Sequence, residues 1–483
     1  MSTREKFRPS LIAKVRKDTI NQFLSKDKTP ASVLLLSVIV GVLAGLVGTY
    51  FELAVHFISE TRTEWLKSEI STHVPLWFAA FLISAGLAFV GYYLVHRFAP
   101  EASGSGIPEI EGAMDGMRPV RWWRVLPVKF FGGMGALGSG MVLGREGPTV
   151  QMGGAIGRMV SDIFRVKDDD SRHSLLACGA AGGLAAAFNA PLAGIMFIIE
   201  EMRPQFRYTL ISIKAVIISA ISADIVFRMI KSQDAVITMP QYQPPGIDSL
   251  WLFLVLGIFF GIFGVFFNKL VTIFQDIFVK IHRNDRKRYL ITGTLLGGCF
   301  GLTLLYIPEL TGGGIHLIPT ITTGTYSASF LLLLFLGRIL TTMLCFGSGA
   351  PGGIFAPMLA LGTLFGYAFG AAANSLFPQF GIDPGMFAIA GMGALFAATV
   401  RAPITGILLV IEMTNNYYLI LPLIITGLGA VIFAQLLGGQ PIYSQLLHRT
   451  LRKEKLQQQD VPPQTEQQQQ EMKQAEIKED PVK

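Results

Sequence analysis

Residues 138–157 return about 209 positions later as residues 347–366, with their punctuation intact. The first copy reads GSGMVLGREGPTVQMGGAIG and the second GSGAPGGIFAPMLALGTLFG, and both obey G-S-G-x3-G-x3-P-x4-G-x3-G. Flanking matches keep nearly the same offset. GSGI at 104–107 pairs with GGGI at 312–315, and Ala190-Pro191-x-x-Gly194-Ile195 pairs with Ala402-Pro403-x-x-Gly406-Ile407. The chain is therefore two copies of one unit, a first repeat over about 31–230 and a second over about 250–447. What the copies share is residues that break helices, not residues that fill cores. Paired interruptions in two halves of an apolar chain point to a binding site near the bilayer midplane.

The chain is apolar enough for a bilayer. Mean hydropathy is +0.49, 51% of residues are hydrophobic and 15% are charged, against about 25% charged in soluble domains. Apolar runs at 31–48, 75–95, 211–227, 250–268, 289–306, 328–346 and 419–437 approach or reach the length of a ~30 Å hydrocarbon core. The apolar segments 149–160, 175–188, 352–369 and 403–411 are shorter or glycine-broken, and read as partial or tilted helices buried in protein. No strand-like alternation occurs, which argues against a barrel. The fold class is all-α integral membrane protein.

Charge sets the expected orientation. Residues 1–30 hold eight Lys/Arg and three acids, with no cleavable signal pattern. Leu11, Ile12, Val15, Ile20, Phe23 and Leu24 recur there at helical spacing, so the segment reads as a basic helix lying on the membrane surface. The loop KIHRNDRKR at 280–288 is also basic, as are Arg449, Arg452, Lys453 and Lys455. By the positive-inside rule all three regions, and so both termini, face the cytoplasm. The net charge of +7 then reports orientation and anionic lipid. No nucleic-acid partner is expected, because the positive charge is scattered over loops. Residues 448–483 become glutamine-rich and mixed in charge, and read as a disordered cytoplasmic tail. Cys178, Cys299 and Cys345 lack metal-ligand or CxxC spacing and read as packing residues.

Three glycine-rich loops run into a proline and then an apolar helix: 104–108 (GSGIP), 144–148 (GREGP) and 352–357 (GGIFAP). Proline suits a helix start, where its missing N–H is not needed. Neighbouring residues then present free N–H groups at the positive end of the helix dipole. Three such ends converging would bind an anion without a full cation in the site, and partial charges also let the anion leave. Glu146 stands in the first copy where the second has Phe355. A carboxylate at a broken-helix start can imitate the anion and compete for its place, and protonation would release it. The alternative for Glu146 is a salt bridge with Arg145. Glu200 and Glu201 end the helix before Met202-Arg203-Pro204, and spacing does not choose between them. Glu412 closes the matching helix of the second copy, which suits one of the pair to a structural role. Tyr443 follows the last apolar run, where an aromatic-belt position competes with a role as donor to the anion.

At GSGIPE (104–109), GREGPT (144–149), GGIFAP (352–357) and Tyr443 the chain resembles the CLC family of chloride channels and chloride/proton antiporters. The resemblance covers roughly 31–447, and text such as IIEEMRPQFRY at 198–208 is especially similar to the enterobacterial antiporters. It implies about 18 helices in two inverted-topology repeats, broken at the midplane, and a homodimer with one pathway per subunit in the inner membrane. It implies that the Ser105 and Tyr443 hydroxyls and the N–H groups of Ile354 and Phe355 hold a central chloride. Backbone around Arg145, Glu146 and Gly147 would form an outer site that the Glu146 side chain can enter. Glu146 would be external gate and proton acceptor, and Glu201 the internal proton relay. Glu201 favours exchange of chloride against protons, an electrical shunt in acid stress, over the alternative, a passive channel. No cofactor, metal or enzyme activity is expected: His173, His316 and the other histidines are scattered. Neither HExxH, a nucleophile elbow nor a phosphate-binding P-loop occurs.

Overall fold

The computed structural model describes residues 31–67, 75–283, 285–323 and 326–459. The basic segment expected on the membrane surface at 1–30, and the tail from 460, lie outside the described residues. Among the described residues are seventeen α-helices and no strand, the only ladder being a single Gly144–Gly353 bridge. In chain order they are α1 (Ala31–Lys67), α2 (Leu76–Phe98), α3 (Ile107–Met114), α4 (Trp122–Gly138), α5 (Glu146–Ile163), α6 (Asp169–Phe188), α7 (Pro191–Glu200), α8 (Leu210–Ile230), α9 (Leu250–His282), α10 (Arg286–Tyr306), α11 (Leu317–Thr322), α12 (Ala328–Gly347), α13 (Phe355–Leu376), α14 (Pro384–Val400), α15 (Pro403–Thr414), α16 (Ile420–Leu436) and α17 (Ile442–Gln459).

Breakers set the helix boundaries. Pro191, Pro384 and Pro403 open α7, α14 and α15, while Pro148 and Pro357 stand third in α5 and α13. All lie in the first turn, whose N–H groups have no helical acceptor to lose. Eight helices are long and apolar enough to cross a membrane. Seven contain the long runs of the sequence. The eighth, α13, departs from the partial or glycine-broken helix that its sequence suggests: it runs 22 residues, because its glycines at 362, 366 and 370 lie within the helix and do not end it. α17 likewise extends past the expected boundary at 447 to Gln459, seeded by buried Leu446 and Leu447.

The two repeats pack alike. α5 lies along α6 as α13 lies along α14, and α1 packs on α8 as α9 packs on α16. The shared glycines at 153 and 362 permit this. A Cβ on Gly153 would lie 2.0 Å from the Gly179 carbonyl oxygen, and one on Gly362 would lie 2.3 Å from that of Gly391. Here the plain packing role of glycine holds. Two features reveal that the copies are inverted. Gly144 and Gly353, equivalent residues, exchange both backbone hydrogen bonds at 2.7 Å in antiparallel sense. The end of α7 also meets the start of α15, and the end of α15 meets the start of α7, through Glu200 and Glu412. A pseudo-two-fold axis therefore runs between the repeats.

Most of the core is one large cluster, with two smaller ones beside it, and α6 and α14 are almost wholly buried in it. Leu333, Leu336 and Leu340 of α12 stay exposed, as a lipid-facing surface allows. Of the three cysteines, Cys178 and Cys345 are buried, but Cys299 is exposed on α10 and is not a core residue.

Candidate functional site

The three proline-containing loops meet. A Cβ on Gly147 would lie 2.3 Å from Ser105 Oγ, and one on Gly353 would lie 3.2 Å from the Gly147 nitrogen. A Cβ on Gly144 would come within 3.0 Å of the Ala356 nitrogen. The starts of α3, α5 and α13 thus converge on one place, with their first-turn N–H groups turned inward from the helix ends.

Glu146 fills part of that place. Its side chain is fully buried, and Oε2 accepts from the Ala356 N–H at 3.4 Å, while Oε1 has no hydrogen-bond partner among the described residues. The carboxylate sits at the start of α13, where a bound anion would sit. It is not paired with Arg145. That guanidinium turns away, forming an ion pair with Glu52 and donating to the Ala187 carbonyl at 3.0 Å. Lys231 completes the cluster by holding Glu52 at 2.6 Å.

Ser105 and Tyr443 come together from distant parts of the sequence. Both are buried, their hydroxyls lie close to each other, and neither oxygen makes a well-formed hydrogen bond. Tyr443 stands at the start of α17 and is therefore not in an interfacial aromatic belt. Ile354 precedes α13 and Phe355 opens it. The Phe355 ring is packed by Phe188 at 5.1 Å and Phe396 at 4.3 Å, which closes the site with apolar surface.

The two adjacent glutamates separate by role. Glu200 lies at the end of α7 and accepts from the N–H groups of Ile404 at 3.1 Å and Thr405 at 2.7 Å, capping α15. Glu412 returns the contact, accepting from Leu192 at 3.0 Å and Ala193 at 2.8 Å, and caps α7. Glu201 instead turns into the protein, buried, with Oε1 unpartnered. Tyr443 lies within electrostatic reach of both Glu201 and Glu146.

Sequence reasoning missed three buried charges near the site. Glu111 on α3 is fully buried, neither oxygen has a partner among the described residues, and it lies within electrostatic reach of Glu201. Lys129 on α4 and Arg338 on α12 are also fully buried. The 209-residue offset relates them and would have flagged both. Glu111, at the close of the IPEIE run, carries no such signal.

One cavity of about 760 Å³ reaches this region from outside. Ser105 and Gly106 form part of its wall, and His282, Arg449 and Lys453 line it farther out. It therefore joins the Ser105 loop to the side that bears the basic loop and α17. No group of three or more His, Cys, Asp or Glu suited to a metal ion occurs among the described residues.

Residues 86–435 match the family model described as voltage gated chloride channel. The H(+)/Cl(-) exchange transporter ClcA of Vibrio cholerae serotype O1 (strain ATCC 39315 / El Tor Inaba N16961) is 81% identical over 457 residues, covering 95% of this chain and 98% of that protein. The transporter of the same name from Klebsiella pneumoniae (strain 342) is 58% identical over 442 residues, covering 92% of this chain and 94% of that one. Among solved structures, a slow cyanobacterial Cl⁻/H⁺ antiporter is 43% identical, with a TM-score of 0.83 over 87% of this chain and 98% of its own. A CLC-type fluoride/proton antiporter shares the fold at 24% identity and a TM-score of 0.69, over 86% of this chain and 97% of its own.

Proposed function

The chain belongs to the voltage-gated chloride channel family and works as a chloride/proton antiporter, and we propose that Glu146 couples the two ions. The observation that supports this is the buried Glu146 carboxylate bonded to the start of α13, in the place an anion would take. Deprotonated, the carboxylate and chloride exclude each other there. Protonated, the side chain loses its claim on the helix end and yields the site.

Chloride is held by donors that carry partial charge: the Ser105 and Tyr443 hydroxyls and the N–H groups of Ile354 and Phe355. An outer position is formed by backbone of Arg145, Glu146 and Gly147. Arg145 itself is neutralised by Glu52, so no free guanidinium traps the anion. Glu201 passes protons between the interior and Glu146, past Tyr443, while chloride uses the cavity that ends at Ser105. The two ions thus share the site at Glu146 and separate below it.

The protein is a multi-pass membrane transporter, and we place it in the inner membrane as a homodimer with one pathway per subunit. Both termini face the cytoplasm, in keeping with the basic lining that His282, Arg449 and Lys453 give one cavity. With the start of the first helix at the cytoplasmic side, its rise of about 31 Å from Ala31 to Glu52 supports an external position for the Glu52–Arg145–Lys231 cluster. Opposite movement of Cl⁻ and H⁺ carries charge in one direction, so voltage drives the cycle by about 2.3 kcal/mol per charge per 100 mV. That suits an electrical shunt in acid stress.

The test is flux in liposomes loaded with high chloride in a low-chloride bath at equal pH, with voltage clamped by valinomycin and symmetric potassium. Proton uptake against its own gradient as chloride leaves is expected. In Glu146→Ala, chloride should move without protons; persistent proton uptake in that variant would remove Glu146 from the coupling step.

A further inference from the structure

Two fully buried cations hold the two repeat-related glycine loops, each by donating to backbone carbonyls. Lys129 Nζ donates to the carbonyl oxygens of Ala102 at 2.9 Å and Gly104 at 2.7 Å. Arg338, which the repeat relates to Lys129, donates to the carbonyls of Glu309 at 2.6 Å, Thr311 at 3.2 Å and Gly312 at 2.8 Å. Gly104 and Gly312 are themselves equivalent, as are the left-handed Gly106 (φ 87°) and Gly314 (φ 89°) that end the two turns. Each loop is also tied across the pseudo-axis, Gly104 N–H to the Ala350 carbonyl and Gly312 N–H to that of Gly140. The same clamp has been built twice, once with lysine and once with arginine.

The two loops differ in what they carry. In the first, the residue after the clamped glycine is Ser105, which lies in the cavity wall with its hydroxyl beside Tyr443; in the second it is Gly313, which has no side chain. In a trans peptide the C=O and the following N–H point in opposite directions. Pinning the Gly104 oxygen on Lys129 therefore turns the Ser105 N–H away from the lysine. It also keeps two carbonyl oxygens from facing a bound anion, which they would repel. A buried amine performs this service whether it carries two protons or three, since two carbonyl acceptors need two donors.

We propose that Lys129 is a positioning residue for the anion site: it fixes the Ser105 loop with its carbonyls turned back and its donors forward, and so sets chloride affinity without touching chloride. Arg338 holds the corresponding loop of the second repeat by the same kind of contacts. The proposal rests on the reading of Ser105 as a chloride donor.

Chloride titration calorimetry on the purified full-length protein tests it, with Lys129→Met, Ser105→Ala and the double variant compared. Lys129→Met removes the donors and keeps the length, and should weaken chloride binding about tenfold. The double variant should bind no more weakly than the weaker single variant, because both substitutions undo one interaction. Lys129→Arg should restore most of the affinity, since the second repeat already uses arginine in this geometry. Wild-type affinity in Lys129→Met would overturn the proposal, as would losses that simply multiply in the double variant. Wild-type affinity in Ser105→Ala would instead overturn the role given to Ser105, and the two failures are told apart by which single variant is silent. If Lys129→Met does not fold, Lys129→Asn serves the same comparison, being polar enough to recruit water yet too short to reach both carbonyls.

Discussion

Ser105 and Gly313, Glu146 and Phe355, Glu201 and Met413 occupy corresponding positions in the two repeats. In each pair the first repeat carries the polar or titratable side chain and the second does not. The backbones around them match closely, down to the left-handed glycines and the reciprocal Gly144–Gly353 bonds. The comparison separates two kinds of work. Inverted duplication aims helix starts at one point from both sides of an axis, where the proposed anion site lies. Divergence of side chains leaves a carboxylate there, Glu146, in one repeat only, and on the proposed function that carboxylate makes the site respond to protons. To that proposed site the second repeat would add the backbone N–H groups of Ile354 and Phe355 and the hydroxyl of Tyr443.

The comparison breaks most visibly at Glu146. Glu146→Ala makes the first repeat resemble the second at this position, and coupling should vanish while chloride flux persists, read as proton uptake against chloride efflux in liposomes. Next in size is Glu201→Gln, which should lower proton flux by tenfold or more with chloride flux retained. Normal proton flux in that variant would take Glu201 out of the pathway.

Glu200 and Glu412 sharpen the comparison from the other direction, because they are the pair the repeats kept alike. Each satisfies two N–H groups at the opposing helix start. Alanine at either should cost about 1–2 kcal/mol, seen as a lower melting temperature in detergent, with the chloride-to-proton ratio unchanged. A changed ratio in Glu200→Ala alone would mean that the two acids are not equivalent. The smallest effect is expected at the Asp168 and Asp383 caps of α6 and α14, which accept from Ser171 at 2.8 Å and Gly385 at 2.7 Å. Loss of either should cost about 1 kcal/mol. The Ser171 hydroxyl and N–H hold the Asp168 carboxyl below its ordinary range. Its contribution is therefore complete above that range and fades only as pH falls through the lower folded value. A melting-temperature series in Asp168→Ala and wild type should converge at acid pH.

Much of this was legible because glycine and proline act through the backbone, where sequence and structure stand closest. The offset located the repeat, the helix starts and the loops that meet at Ser105, Glu146 and Phe355. It did not reveal inversion, which depends on how α7 and α15 face each other through Glu200 and Glu412. Spacing also left Glu200 and Glu201 undecided, since two adjacent residues at a helix end differ only in direction, and direction is set by tertiary packing. The length of α13 is not legible in the sequence because glycine permits close helix contact as readily as it breaks a helix; at 362 and 366 the carbonyls of Gly391 and Phe387 decide the matter. Lys129 and Arg338 lie within helices and carry no loop signal, so only their 209-residue offset marks them in the sequence.

The carboxylate at the start of α13 is covalently attached, and that has a consequence for dose. Its local concentration is fixed by the chain, whereas that of chloride follows the surrounding solution. On the proposed role of Glu146, chloride therefore wins only over the fraction of time in which a proton has silenced its rival. Linkage is reciprocal: once chloride exceeds its dissociation constant, each tenfold rise in chloride should move the pH of half-maximal exchange upward by about one unit. A cell that alters its internal chloride thereby retunes the acidity at which this transporter runs, with no change to the protein.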